Sequence, residues 1–95
     1  MRKIKLDDFD VRVLINGLYQ TLDDYCAEEK NQVCDFTLSL IDTCEKMKPG
    51  RKQRFLFEPA QKRILYRSLV SWRNQRIAAG EITDPIDELL IKIAA

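Results

Sequence analysis

The chain has 95 residues, 16 basic and 15 acidic side chains, a formal net charge of +1 and no histidine. That length makes one domain, read here as residues 1–95 in a single helical unit, and 45% apolar against 33% charged residues makes it globular rather than disordered. No run of about 18 apolar residues occurs, which excludes a helix across a membrane, and without histidine the Ser–His–Asp triad, the Cys–His pair and the HExxH metal site are excluded.

Met1-Arg2-Lys3-Ile4-Lys5 has the charge of a signal-peptide start, but Asp7-Asp8-Phe9-Asp10 stands where the apolar region should follow. The reading is a cytoplasmic protein. Residues 7–26 follow a helical pattern. Asp7, Asp8 and Asp10 crowd the first turn, where negative charge suits the helix dipole, and Val11, Leu14, Ile15, Leu18, Leu22 and Tyr25 recur at helical spacing. Asn16-Gly17 between two apolar runs is also a hairpin signal. Helix is preferred because an isolated hairpin is marginal and no further strand is evident. Gly17 inside a helix costs about 1 kcal/mol against Ala, and the expected compensation is close approach of another helix.

A second stripe follows the polar stretch 27–32: Val33, Phe36, Leu40, Ile41, Cys44 and Met47, on a helix over 32–48 that stops at Pro49-Gly50. The two stripes are nearly in phase, so one continuous helix of about 40 residues is the alternative to a turn near Glu29–Asn31. The turn is preferred because such lengths are rare in small domains. Arg51-Lys52-Gln53-Arg54 reads as a basic loop and Phe55-Leu56-Phe57 as a short apolar plug.

Pro59 and Gly80 bracket a third helix over 59–79, Pro59 suiting the first helical position. On its wheel Leu65, Leu69 and Trp72 share one face and Tyr66, Val70 and Ile77 a second. Lys62 and Arg73 lie between those faces, with Arg63, Arg67, Ser71 and Asn74 opposite. Asp84-Pro85 starts a fourth helix over 85–94, with Ile86, Leu89, Leu90 and Ile93 on one side. The fold class expected is therefore all-α, an irregular three-to-four-helix bundle.

Catalytic equipment is sparse. Cys26, Cys34 and Cys44 are odd in number and form no CxxC, so a metal site is not expected and the thiols read as free. Asp24 with Glu28, and Asp35 with Asp42, fall at helical spacings that solvated faces produce routinely. Neither cofactor nor small-molecule substrate is indicated.

Charge is the distinctive feature. Residues 1–48 carry seven basic and ten acidic side chains, and residues 49–95 nine and five. Within 46–76, ten basic residues face only Glu58, a local charge of +9. Arg51, Lys52, Arg54, Arg63, Arg67 and Asn74 are the candidate contacts to nucleic acid or an acidic partner, since Arg and Lys hold phosphates and Arg and Asn read base edges. The plainer reading is a solvated basic face partly paired with the acidic first half of the chain.

Three runs, Leu6-Asp7-Asp8-Phe9-Asp10-Val11-Arg12, Cys44-Glu45-Lys46-Met47-Lys48-Pro49 and Trp72-Arg73-Asn74-Gln75, resemble small, uncharacterised helical proteins encoded in bacterial phages and other mobile elements. The resemblance implies a bacterial cytoplasm and an accessory role in a mobile element. It supplies no functional residue.

Two functions are expected from these observations. The first is a non-enzymatic protein–protein interaction module that self-associates or takes a helical partner, because the apolar faces of helices one and three exceed what so short a chain buries. The alternative is a nucleic-acid-binding accessory or regulatory protein that uses the basic 51–76 region.

Overall fold

The computed structural model describes residues 3–94, so Met1 and Arg2 of the basic amino-terminal run lie outside the described residues. Asp7 starts the first helix, α1 (Asp8–Gln20), through a reciprocal cap: its Oδ1 accepts the Asp10 N–H at 2.7 Å, and Asp10 Oδ2 accepts the Asp7 N–H at 3.2 Å. Val11, Leu14 and Leu18 are buried along α1. Asn16-Gly17 is helical, not a hairpin turn. A Cβ on Gly17 would lie 3.1 Å from Trp72 Cε3 and 3.4 Å from Leu69 Cδ2, so the missing side chain lets the third helix approach.

The second helix, α2 (Ala27–Lys46), is separate from α1, as preferred from the sequence, but it corrects the position of the break. The continuous helix does not form, and the break falls at residues 21–26 rather than at 29–31. Thr21 caps the end of α1, its N–H and hydroxyl both donating to Gly17 O at 3.2 and 2.8 Å, and the chain tightens into a 3₁₀ turn over Leu22–Asp24. Tyr25 is extended and buried at 4% exposure. Its spacing places it on the stripe of α1, but its hydroxyl donates to Ile64 O at 3.1 Å and lies 2.6 Å from Ser68 Oγ. That tertiary bond takes Tyr25 out of the helix. Glu29, assigned to the turn, instead caps α2 by accepting the Cys26 N–H at 3.3 Å.

The all-α expectation is also corrected. The chain is mostly helical but carries a two-stranded antiparallel sheet, β1 (Ile4–Leu6) with β2 (Gln53–Phe55), in the register Ile4↔Phe55, Lys5↔Arg54, Leu6↔Gln53. Ile4, Leu6 and Phe55 are buried, so the ribbon lies on the core by one face and presents Lys5 and Arg54 on the other. The basic loop is therefore part strand. Phe57 joins Phe55 and Phe36 beneath it, with ring centroids 5.6 and 5.9 Å apart respectively.

The third helix, α3 (Pro59–Ala78), has Pro59 at its start and Glu58 at its cap, whose N–H donates to Gln61 Oε1 at 2.9 Å. Leu65 and Leu69 are buried as expected and Trp72 is partly buried. Gly80 leaves the helix at φ +73, which suits a residue without Cβ. The fourth helix, α4 (Asp84–Ala94), buries Ile86, Leu89 and Ile93. Each of the four helices and both strands contribute to one buried apolar cluster. The second strip on α3 stays half open, with Tyr66 at 51% and Ile77 at 50% exposure. No helix among the described residues is long and apolar enough to cross a membrane.

Candidate nucleic-acid interface

The ten basic side chains of residues 46–76 separate into two groups. Four are held by carboxylates of this chain: Lys46 by Asp42 at 3.1 Å, Arg67 by Glu29 at 3.2 Å, Arg73 by Asp87, and Arg76 by Glu81 at 3.0 Å. Arg67, a candidate contact, is the most occupied. It also donates to Asp24 O at 3.2 Å and lies 4.6 Å over the Tyr25 ring. The Glu29 carboxyl sits below its ordinary range because the Cys26 side chain and N–H bond it, with the Arg67 guanidinium adding to this. The Asp87 carboxyl is likewise lowered, by its bonds to Arg73 and then Thr83. For these four residues the charge serves the fold.

The other six are Lys48, Arg51, Lys52, Arg54, Lys62 and Arg63. Among the described residues, none of them has a carboxylate within ion-pair distance. Arg51, Lys52 and Arg54 are brought together on the turn and strand that follow α2. Lys48, Arg51 and Lys52, with Lys46, Met47 and Gln53, line a shallow cleft of about 260 Å³. Arg54 continues the surface onto the ribbon, directly opposite Lys5. Lys3, just before β1, is also exposed.

The remaining candidates are elsewhere. Arg63 and Arg67 line a separate cleft of about 360 Å³ with Tyr25, Glu29, Gln32, Ala60 and Ile64. Asn74 is exposed on α3, about 10 Å along the helix axis from Arg67 at about 1.5 Å per residue, and belongs to neither group.

Sequence reasoning missed Lys5 and Lys3. The only signal was the alternation Ile4-Lys5-Leu6, too short to mark a strand. It read Asp8 only as a first-turn charge of the helix and not as the residue that positions the surface. Asp8 Oδ1 accepts the Gly50 N–H at 3.0 Å, tying the turn that carries Lys48, Arg51 and Lys52 to the first turn of α1. This bond, more than the Arg12 guanidinium 4.0 Å away, holds the Asp8 carboxyl below its usual value. Gly50 takes φ +75 there, where an L side chain would be strained.

The surface carries one sign of charge. Like charges directly opposite across a sheet are destabilising, yet Lys5 and Arg54 stand so, supported by Ile4, Leu6 and Phe55 beneath. Comparison of the chain with protein-family models, with curated proteins and with solved structures gives no match.

Proposed function

We propose that this chain is a non-enzymatic nucleic-acid-binding protein whose contact surface is the ribbon and turn carrying Lys3, Lys5, Lys48, Arg51, Lys52 and Arg54. The observation that carries this reading is the same-sign face centred on Lys5 and Arg54, without an ion-pair partner among the described residues. Charges on a short open sheet also deter pairing with another chain. That accounts for a residue on each strand but not for Lys48, Arg51 and Lys52, which lie outside the strands. The accessory role in a bacterial mobile element, implied by the resemblance, fits such a ligand.

The test is fluorescence anisotropy with labelled oligonucleotides at low salt, comparing wild type with the Lys52→Glu/Arg54→Glu double variant. Binding should fall steeply as salt rises, because phosphate contacts release counterions, and should be lost in the double variant. Arg67→Glu should leave it unchanged. Equal binding by wild type and the double variant would remove the ribbon as the contact surface.

A second reading, self-association, has its own observation. Tyr19 and Leu38, exposed at 57% and 61%, flank an apolar cleft of about 170 Å³ lined by Leu18, Leu22, Cys34 and Thr37. A protruding apolar pair and a receiving cleft on one surface are what a two-fold contact between copies of one chain requires. Sedimentation of wild type and Leu38→Glu over a range of concentration tests it. A monomer at high micromolar wild-type concentration counts against it.

A further inference from the structure

The composition and support of the basic surface say which form of nucleic acid it suits; this inference rests on the nucleic-acid reading above. Binding of single strands draws on aromatic side chains on which successive bases stack. The aromatics of this segment are not offered. Phe55 and Phe57 are 8% and 4% exposed and pack on each other, with Phe57 also on Phe36. The contact residues are Lys3, Lys5, Lys48, Arg51, Lys52 and Arg54, all exposed cations.

Reading bases in a groove needs an element that enters it. The three-residue strands span about 10 Å at about 3.4 Å per residue, and one face of the ribbon is committed to the core through Ile4, Leu6 and Phe55. What remains is a supported cationic face with a basic turn at one end, fixed by the Asp8–Gly50 bond. A double helix presents about one phosphate charge per 1.7 Å of its axis. Such a face is complementary to that charge density, and the ribbon and turn expose no aromatic ring for bases to stack on.

We infer that the surface binds the phosphate backbone of double-helical nucleic acid, without reading its sequence. Lys5 and Arg54 contact phosphates from the ribbon, and Lys48, Arg51 and Lys52 from the turn.

The experiment measures anisotropy of the full chain with two unrelated duplex DNAs of about 20 base pairs, a duplex RNA, and the matching single strands, between about 50 and 200 mM salt. With about four to six phosphates engaged, the logarithm of affinity should fall against that of salt with a slope of about −4 to −5. The two DNA sequences should bind within about threefold of each other and single strands at least about tenfold more weakly. The two duplex types show whether DNA or RNA supplies the backbone.

Lys52→Glu/Arg54→Glu, at the start of β2, and Lys48→Glu/Arg51→Glu, in the turn, should each lower duplex affinity at least about tenfold at the lowest salt. Both variants should unfold with wild-type cooperativity by circular dichroism. Single strands binding as tightly as duplexes would overturn the inference and leave the nucleic-acid reading standing, as would an affinity ratio between the two DNA sequences above about tenfold. No binding to any of the oligonucleotides at the lowest salt would overturn both.

Discussion

Lys5 and Arg54 face each other across the ribbon as a directly opposed pair of like charge, both exposed, with no described carboxylate within ion-pair distance of either. The fold carries a small repulsion at the place where the proposed ligand would relieve it. Stability and binding should therefore respond in opposite directions to the same substitution.

Arg54→Glu turns the repulsive pair into an attractive one. Urea unfolding at low ionic strength should show a gain of about 0.5–1 kcal/mol, shrinking as salt screens the exposed pair. Nucleic-acid affinity should fall in the same protein. A variant less stable than wild type at low salt would show that the ribbon holds no such repulsion.

The Asp8–Gly50 bond should make the basic turn sensitive to acid. The folded-state pKa of Asp8 lies below its usual value of 3.8. Its contribution to stability is therefore complete above the unfolded value and is lost as pH falls through the lowered folded one. Asp8→Asn should be less stable than wild type at neutral pH, and the difference should vanish at acid pH below that folded value. Amide exchange at Gly50 should be faster in the variant at pH 7. Unchanged exchange would mean that the turn is held by other bonds.

Arg67 tests the division of the basic residues. It bonds Glu29 and Asp24 O and covers Tyr25, and both partners of its ion pair are about half exposed. Exposed pairs and cation–π contacts are each worth about 0.5–1 kcal/mol at most sites. Arg67→Ala should cost about 1 kcal/mol in urea unfolding and leave nucleic-acid affinity within about twofold of wild type. A large loss of affinity without loss of stability would return Arg67 to the contact surface.

Apolar periodicity marked the four helices, because Val11/Leu14/Leu18, Val33/Phe36/Leu40, Leu65/Leu69 and Ile86/Leu89/Ile93 each define a buried face that local spacing reveals. The ribbon was illegible for the opposite reason: its strands are three residues long and Ile4 meets Phe55 across most of the chain, so no local pattern announces the pairing. The break between α1 and α2 was misplaced because Tyr25 is in phase with the stripe of α1, while its hydroxyl bonds Ile64 O and Ser68 on α3, far off in sequence. The basic window was plain in the composition. Its division was not, since pairing of Arg67 with Glu29 depends on how α2 and α3 are placed around α1. Lys5 enters the surface only through the sheet.

The Tyr25–Ser68 junction that sets that break yields a prediction of its own. The Tyr25 hydroxyl donates to Ile64 O at 3.1 Å, so at 2.6 Å the Ser68 hydroxyl is the donor to Tyr25. Both residues are buried, at 4% and 1% exposure. Tyr25→Phe strips two partners and should cost about 1–2 kcal/mol, and Ser68→Ala about 1 kcal/mol, since each leaves a buried polar group short of a bond. The double variant removes both groups and should cost less than the sum of the two, giving a coupling of about 0.5–1 kcal/mol in urea unfolding. Burial also raises the Tyr25 pKa above its usual 10.0, against the lowering effect of Ser68. A neutral phenol favoured by folding contributes stability that is complete below the unfolded pKa and is lost as pH rises through the folded one. Wild type should therefore lose more stability than Tyr25→Phe above about pH 10. Additive costs together with parallel alkaline profiles would show that the hydroxyl does not join α3 to the break between α1 and α2.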